Sequence, residues 1–124
     1  MNTQNTGIYV GRLVKDPVYF ENRDGSYMVI LNVACRRNYP TGKDKTYESD
    51  FIEFRGYIGK GIANKGIFGY LSTGDKVGIQ FSLRSSISEK GKERVYHQSA
   101  FIESIDILEG KSVREQRRAA RETA

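Results

Sequence analysis

The chain has 124 residues, 38% of them hydrophobic and 28% charged, which suits one globular domain large enough to fold without disulfides or a metal. Its single cysteine, Cys35, excludes an internal disulfide, and the absence of a long apolar run leaves no signal peptide or membrane span to read, so a cytoplasmic protein is the expectation. A formal net charge of +5 is compatible with a polyanionic partner, but only the placement of the charge gives that meaning.

In chain order, Met1 to Thr6 is polar and reads as a loose start. Ile8, Val10 and Leu13 then begin the first strand. Asp24-Gly25 is a hairpin signal. Val29, Leu31, Val33 and Cys35 alternate with Asn32, Ala34 and Arg36, placing one set of side chains on each face of a second strand. Pro40-Thr41-Gly42 marks a longer loop, after which Phe51, Ile52 and Phe54 define a third strand. Between Ile58 and Leu71, apolar residues recur at helical spacing. Gly59, Gly61, Gly66 and Gly69 interrupt them, each costing on the order of 1 kcal/mol in a helix. A short helix held by packing is the expectation there.

Val77, Ile79, Phe81 and Leu83 show the clearest period of two in the chain, and Phe101, Ile105 and Ile107 form the last strand. Lys90-Gly91-Lys92 lies in the loop between them. Three strands, a helix and two strands is the order of an all-β OB-fold, a five-stranded partly open barrel with one short helix between strands three and four. Residues 1–108 are the expected OB domain. Residues 109–124 form a basic tail of helix-favouring composition without an apolar face, expected to be frayed or conditionally helical.

A search for catalytic chemistry returns little. His97 and Cys35 fit no zinc-ligand spacing and read as an ordinary strand residue and a small buried one. Gly110-Lys111-Ser112 has the ending of a phosphate-binding loop, but Ile105 stands where its first glycine belongs. No cofactor and no enzymatic activity are expected.

What stands out is basic residues interleaved with aromatic ones. Binding a single strand without sequence preference needs a basic groove for the phosphates and exposed rings on which bases stack. From Arg36 to Tyr57 the chain holds Arg36, Arg37, Tyr39, Lys43, Lys45, Tyr47, Phe51, Phe54, Arg55 and Tyr57. Asp44 and Glu48 in the same stretch suit a plain mixed-charge loop instead. Arg94 and Tyr96, with Lys90 and Lys92, form a second, weaker cluster that reads equally as a solvated hairpin tip.

Three segments resemble the bacterial and phage single-stranded DNA-binding protein family: Gly11-Arg12-Leu13-Val14-Lys15-Asp16-Pro17, Asp50-Phe51-Ile52 followed by Tyr57, and Tyr70-Leu71-Ser72-Thr73-Gly74-Asp75-Lys76-Val77. The resemblance runs from about Gly7 to Leu108. It implies an OB-fold, a homo-oligomer with a tetramer favoured over a dimer, and single-stranded DNA as the partner, with replication proteins as further ones. It implies base stacking by Tyr39, Phe51 and Tyr57, with Arg12, Arg36, Arg55 and Arg84 at positions that are often basic. Ser85-Ser86-Ile87-Ser88 stands where the family has a further aromatic, so Tyr96 is a candidate substitute. The family's acidic C-terminal tip is replaced by Arg117-Arg118-Ala119-Ala120-Arg121-Glu122-Thr123-Ala124, which suits a phage or mobile-element version. The alternative is an OB-type replication accessory module whose main partner is a protein.

Overall fold

The computed structural model describes residues 4–40, 44, 46–110, 113–116 and 119–120. Among the described residues are six strands: β1 (Gly7–Leu13), β2 (Val18–Glu21), β3 (Tyr27–Arg36), β4 (Ser49–Ile58), β5 (Lys76–Lys90) and β6 (Glu93–Ile107). The expected five strands are therefore joined by β2, a short strand that forms a hairpin with β3 across the Asp24-Gly25 turn.

Pairing runs β1–β5–β6–β4–β3 and returns to β1 through Arg12–Ala34 and Leu13–Val33. The circuit closes over two short seams, the second being a parallel contact of β4 with β6 at Phe54–Ala100 and Arg55–Phe101. The first seam depends on Gly11. A Cβ there would sit 2.2 Å from the Ala34 carbonyl oxygen, so only a glycine lets β1 approach β3.

Period-two alternation supplies the core. Val29, Leu31 and Val33 of β3, Phe54 of β4, and Val77 and Ile79 of β5 are fully buried. Tyr9 and Phe81 pack against Phe54 with ring centroids 5.3 Å away on each side. The Tyr9 hydroxyl donates to the Asp50 carbonyl and the Tyr19 hydroxyl to the Phe68 carbonyl, and burial raises the pKa of both phenols.

The expected helix is a 3₁₀ segment, Ala63–Tyr70, broken at its start by left-handed Asn64, Lys65 and Gly66. The glycines decide this. At Gly69 a Cβ would meet the Asn64 carbonyl oxygen at 2.1 Å, so the chain folds back on itself where a regular helix would leave room. Packing holds the segment, as anticipated, through buried Phe68 and Leu71.

Residues 1–3 and part of the tail after 110 lie outside the described residues, but the described residues flanking β1 and β6 are tied more firmly than their composition suggests. The Asn5 side-chain amide bonds both backbone polar groups of Leu83, extending the β5 edge. After β6, Glu109 Oε1 accepts from Arg12 and from the Lys76 backbone N–H. A helical turn over 113–116 then brings Arg114 against Asp75 at 3.1 Å and onto the Tyr70 carbonyl. Cys35, expected to be buried, is half-buried, because β3 leaves the core at that end.

Candidate nucleic-acid interface

On β4, Phe54, Gly56 and Ile58 point inward, so Phe51, Glu53, Arg55 and Tyr57 point outward. Tyr57 lies six residue steps along the strand from Phe51, roughly 20 Å at about 3.3 Å per residue. Phe51 and Tyr57 are 67% and 57% exposed, far above what rings retain in a core.

Register extends this line into a surface. Phe51 stands beside Ala34, which stands beside Arg12 of β1. Arg55 is flanked by Ile30 and Val18 on one side and by Phe101 on the other. Tyr57 continues through Met28 to Phe20, itself 49% exposed. Met28 and Ile30 therefore lie within the ring-bearing face. The Arg84 guanidinium lies 3.6 Å from the Phe101 ring centroid, a cation–π contact on the same face.

The loop after β3 carries the next group. Tyr39 is 56% exposed. Arg36 lies 4.5 Å over the Tyr47 ring. Arg37 donates through Nε and Nη2 to Asp50 and through Nη1 to Glu48. Its hydrogen bonds hold the Asp50 carboxyl below the usual aspartate range, and Asp50 in turn raises the guanidinium pKa. Arg37 thus braces the loop with its charge matched by two carboxylates. Lys43 and Lys45 lie outside the described residues.

Arg94 and Tyr96 sit elsewhere. Ser85-Ser86-Ile87-Ser88 is strand throughout, and β5 and β6 run on as a hairpin arm that turns at Gly91-Lys92. Tyr96, opposite Ile87, shares its face with Gln98 and Ala100, the side of the arm opposite to Phe101. Arg94 is 3.9 Å from Glu89 near the tip. His97 meets the Ser88 hydroxyl on this arm at 2.9 Å.

The outward line therefore unites Arg12, Phe51, Arg55, Tyr57 and Arg84. Tyr39, Arg36 and Arg37 stand at its loop end, and Arg94 and Tyr96 stand on the arm. The sequence reading missed Phe20 as an exposed ring and Phe101 as a half-buried ring on the outward face. Phe101 was read only as a residue of the last strand, where its neighbours Ala100 and Ile102 are the buried ones. Phe20 sits on the short strand that was not recognised, and the Asp24-Gly25 turn was the available clue.

Comparison with known proteins agrees with this geometry. A family model described as the single-strand binding protein family matches residues 4–108. A single-stranded DNA-binding protein of Enterococcus faecalis is 30% identical over 115 residues, covering 91% of this chain and 58% of that protein. Two crystal structures of single-stranded DNA-binding protein from Thermus aquaticus, wild type and a deletion mutant, share its fold. Their TM-scores are 0.66 and 0.64 at 20% and 21% identity, over 87% of this chain and 52% of each of theirs. The chain spans little more than half the length of these relatives. The match of the family model over nearly the whole barrel makes this chain a member of the single-strand binding protein family.

Proposed function

We propose that this protein binds single-stranded DNA with little sequence preference and protects it during replication, recombination or repair, without catalysing a reaction. The observation that carries this is the outward line on β4, where Phe51, Arg55 and Tyr57 alternate with the core residues and Phe101 and Arg84 continue the face. Exposed rings offer stacking platforms that accept any base, and the arginines between them lie where phosphates would pass. Tyr39 extends the platform at the loop end, Arg36 and Arg12 add positive charge, and Tyr96 and Arg94 engage a strand that continues onto the arm. Lys43 and Lys45 complete the basic set in sequence. Arg37 supports the loop and contributes to binding indirectly.

The active form is a homo-oligomer, with a tetramer favoured. Support comes from β1, whose outward Ile8 is 78% exposed and whose Val10 lies beside it on the same face. An apolar pair in the middle of a strand face suits a second copy of the chain. Replication proteins are the further partners, and the cytoplasm is the compartment.

A titration with oligo-dT followed by intrinsic tyrosine emission tests the central reading, since the chain has no tryptophan. Quenching that saturates, and an affinity that falls steeply as salt rises, are the expected results, because neutralised phosphates release counterions. A folded protein that shows no response at low salt would refute it.

A further inference from the structure

Beside the line of rings lies a notch that stacking does not use. β4 and β6 pair only at Phe54–Ala100 and Arg55–Phe101. Before that contact the two strands part, β4 following β3 and β6 following β5 into the arm. The gap has a volume of about 360 Å3, within the range of small-ligand pockets. Its lining is of two kinds. Ile52 and Leu83 offer apolar surface, and both are exposed despite lying on the inward side of their strands. Glu53, Gln98 and Ser99 offer polar groups. Arg55 Nε lies 3.4 Å from Glu53 Oε1, holding the carboxylate beside the notch. The Gln98 amide has no hydrogen-bond partner among the described residues.

A flat heterocycle with apolar faces and a hydrogen-bonding edge matches this lining. Arg55 belongs to both the notch and the ring-bearing face, so a strand crossing the face brings its bases within reach. An ionised carboxylate only accepts hydrogen bonds. It accepts from the exocyclic amine of cytosine, whereas thymine presents a carbonyl oxygen at the same position. We propose that the notch takes one unstacked base of the bound strand and, through Glu53, favours an amine-bearing base over thymine, while Gln98 bonds whichever base enters. The stacking face tolerates every base, so the notch adds a bias at one position of an otherwise indifferent site. This inference rests on the single-strand binding reading above.

The test compares dC and dT oligonucleotides of equal length at one salt concentration, both pyrimidines so that self-stacking differs little. The readout is the ratio Kd(dT)/Kd(dC) for the wild type, Glu53→Gln and Gln98→Ala. A glutamine amide at position 53 can donate to a thymine carbonyl or accept from a cytosine amine, so Glu53→Gln is expected to lower the ratio about fivefold, the low end for a specific base contact. Gln98→Ala is expected to weaken both oligonucleotides by about twofold and to leave the ratio unchanged, because a glutamine amide serves either base. A partly unfolded variant weakens both oligonucleotides equally and leaves the ratio readable. A ratio unchanged in Glu53→Gln, from a protein that binds both oligonucleotides, overturns the notch and leaves the single-strand reading standing. A wild type that binds neither overturns both.

Discussion

Arg114→Ala tests whether the segment after β6 is part of the folded unit. The Arg114 side chain is 12% exposed and the Asp75 side chain 1%, and their ion pair spans 3.1 Å. Removing one partner of a fully buried pair costs about 3–5 kcal/mol, because the remaining charge is left without compensation. Two features reduce that here. Asp75 Oδ2 also accepts the Ser72 backbone N–H at 2.9 Å, so the carboxylate keeps a donor. Arg114 Nε is itself buried without a hydrogen-bond partner among the described residues, a cost that the substitution removes. The expected loss is about 2 kcal/mol. For a domain of this size that corresponds to a fall in Tm of roughly 6–10 °C, read by circular dichroism at fixed protein concentration. Adding Asp75→Asn to Arg114→Ala should recover part of the loss, since the carboxylate charge that Arg114 had faced is gone. A melting point within about 2 °C of the wild type would refute the reasoning and show that the segment does not shield Asp75 in solution.

Phe51→Ala and Tyr57→Ala should each weaken oligo-dT binding by about 1–3 kcal/mol with little change in Tm, because both rings are exposed. Isothermal titration beside a thermal melt separates the two effects, and unchanged affinity would remove that ring from the site. Gly11→Ala forces a methyl against the Ala34 carbonyl and should lower stability by about 1–3 kcal/mol in urea unfolding, opening the β1–β3 seam first. Wild-type stability would show that the seam gives way freely. Arg37→Ala should return the Asp50 carboxyl, followed by NMR, to the ordinary aspartate range. Its value is depressed in the folded state, so the bracing of the loop is present above the ordinary aspartate pKa and lost as pH falls through the depressed one. An Asp50 midpoint that does not move on substitution would break the link.

The barrel was legible in the sequence where alternation is long. Val29 to Val33 and Val77 to Phe81 repeat with period two over enough residues to specify both strand and face, and Phe51 and Tyr57 follow as outward residues once Phe54 is placed inside. A strand of four residues such as β2 carries too few alternations to stand out, so Phe20 was missed with it. The glycine-rich stretch was read as a helix because its apolar spacing is helical. Its actual course depends on the contact between Gly69 and the Asn64 carbonyl, which spacing does not encode.

The identity of the charged residues was also plain in the sequence, but not their allegiance. Arg37 and Arg55 look alike in a basic, aromatic stretch. Only the folded chain sets Arg37 between Asp50 and Glu48 and Arg55 beside Phe101. The same holds for Phe101, an apolar residue in an apolar strand, whose outward direction follows from which neighbours the closing barrel buries. Local pattern determined the strands and their faces, because alternation is a property of neighbouring residues. Which ring meets which arginine, and where β4 and β6 part to leave the notch, was decided by pairing between segments distant in sequence, because closure sets those distances and no local signal carries them.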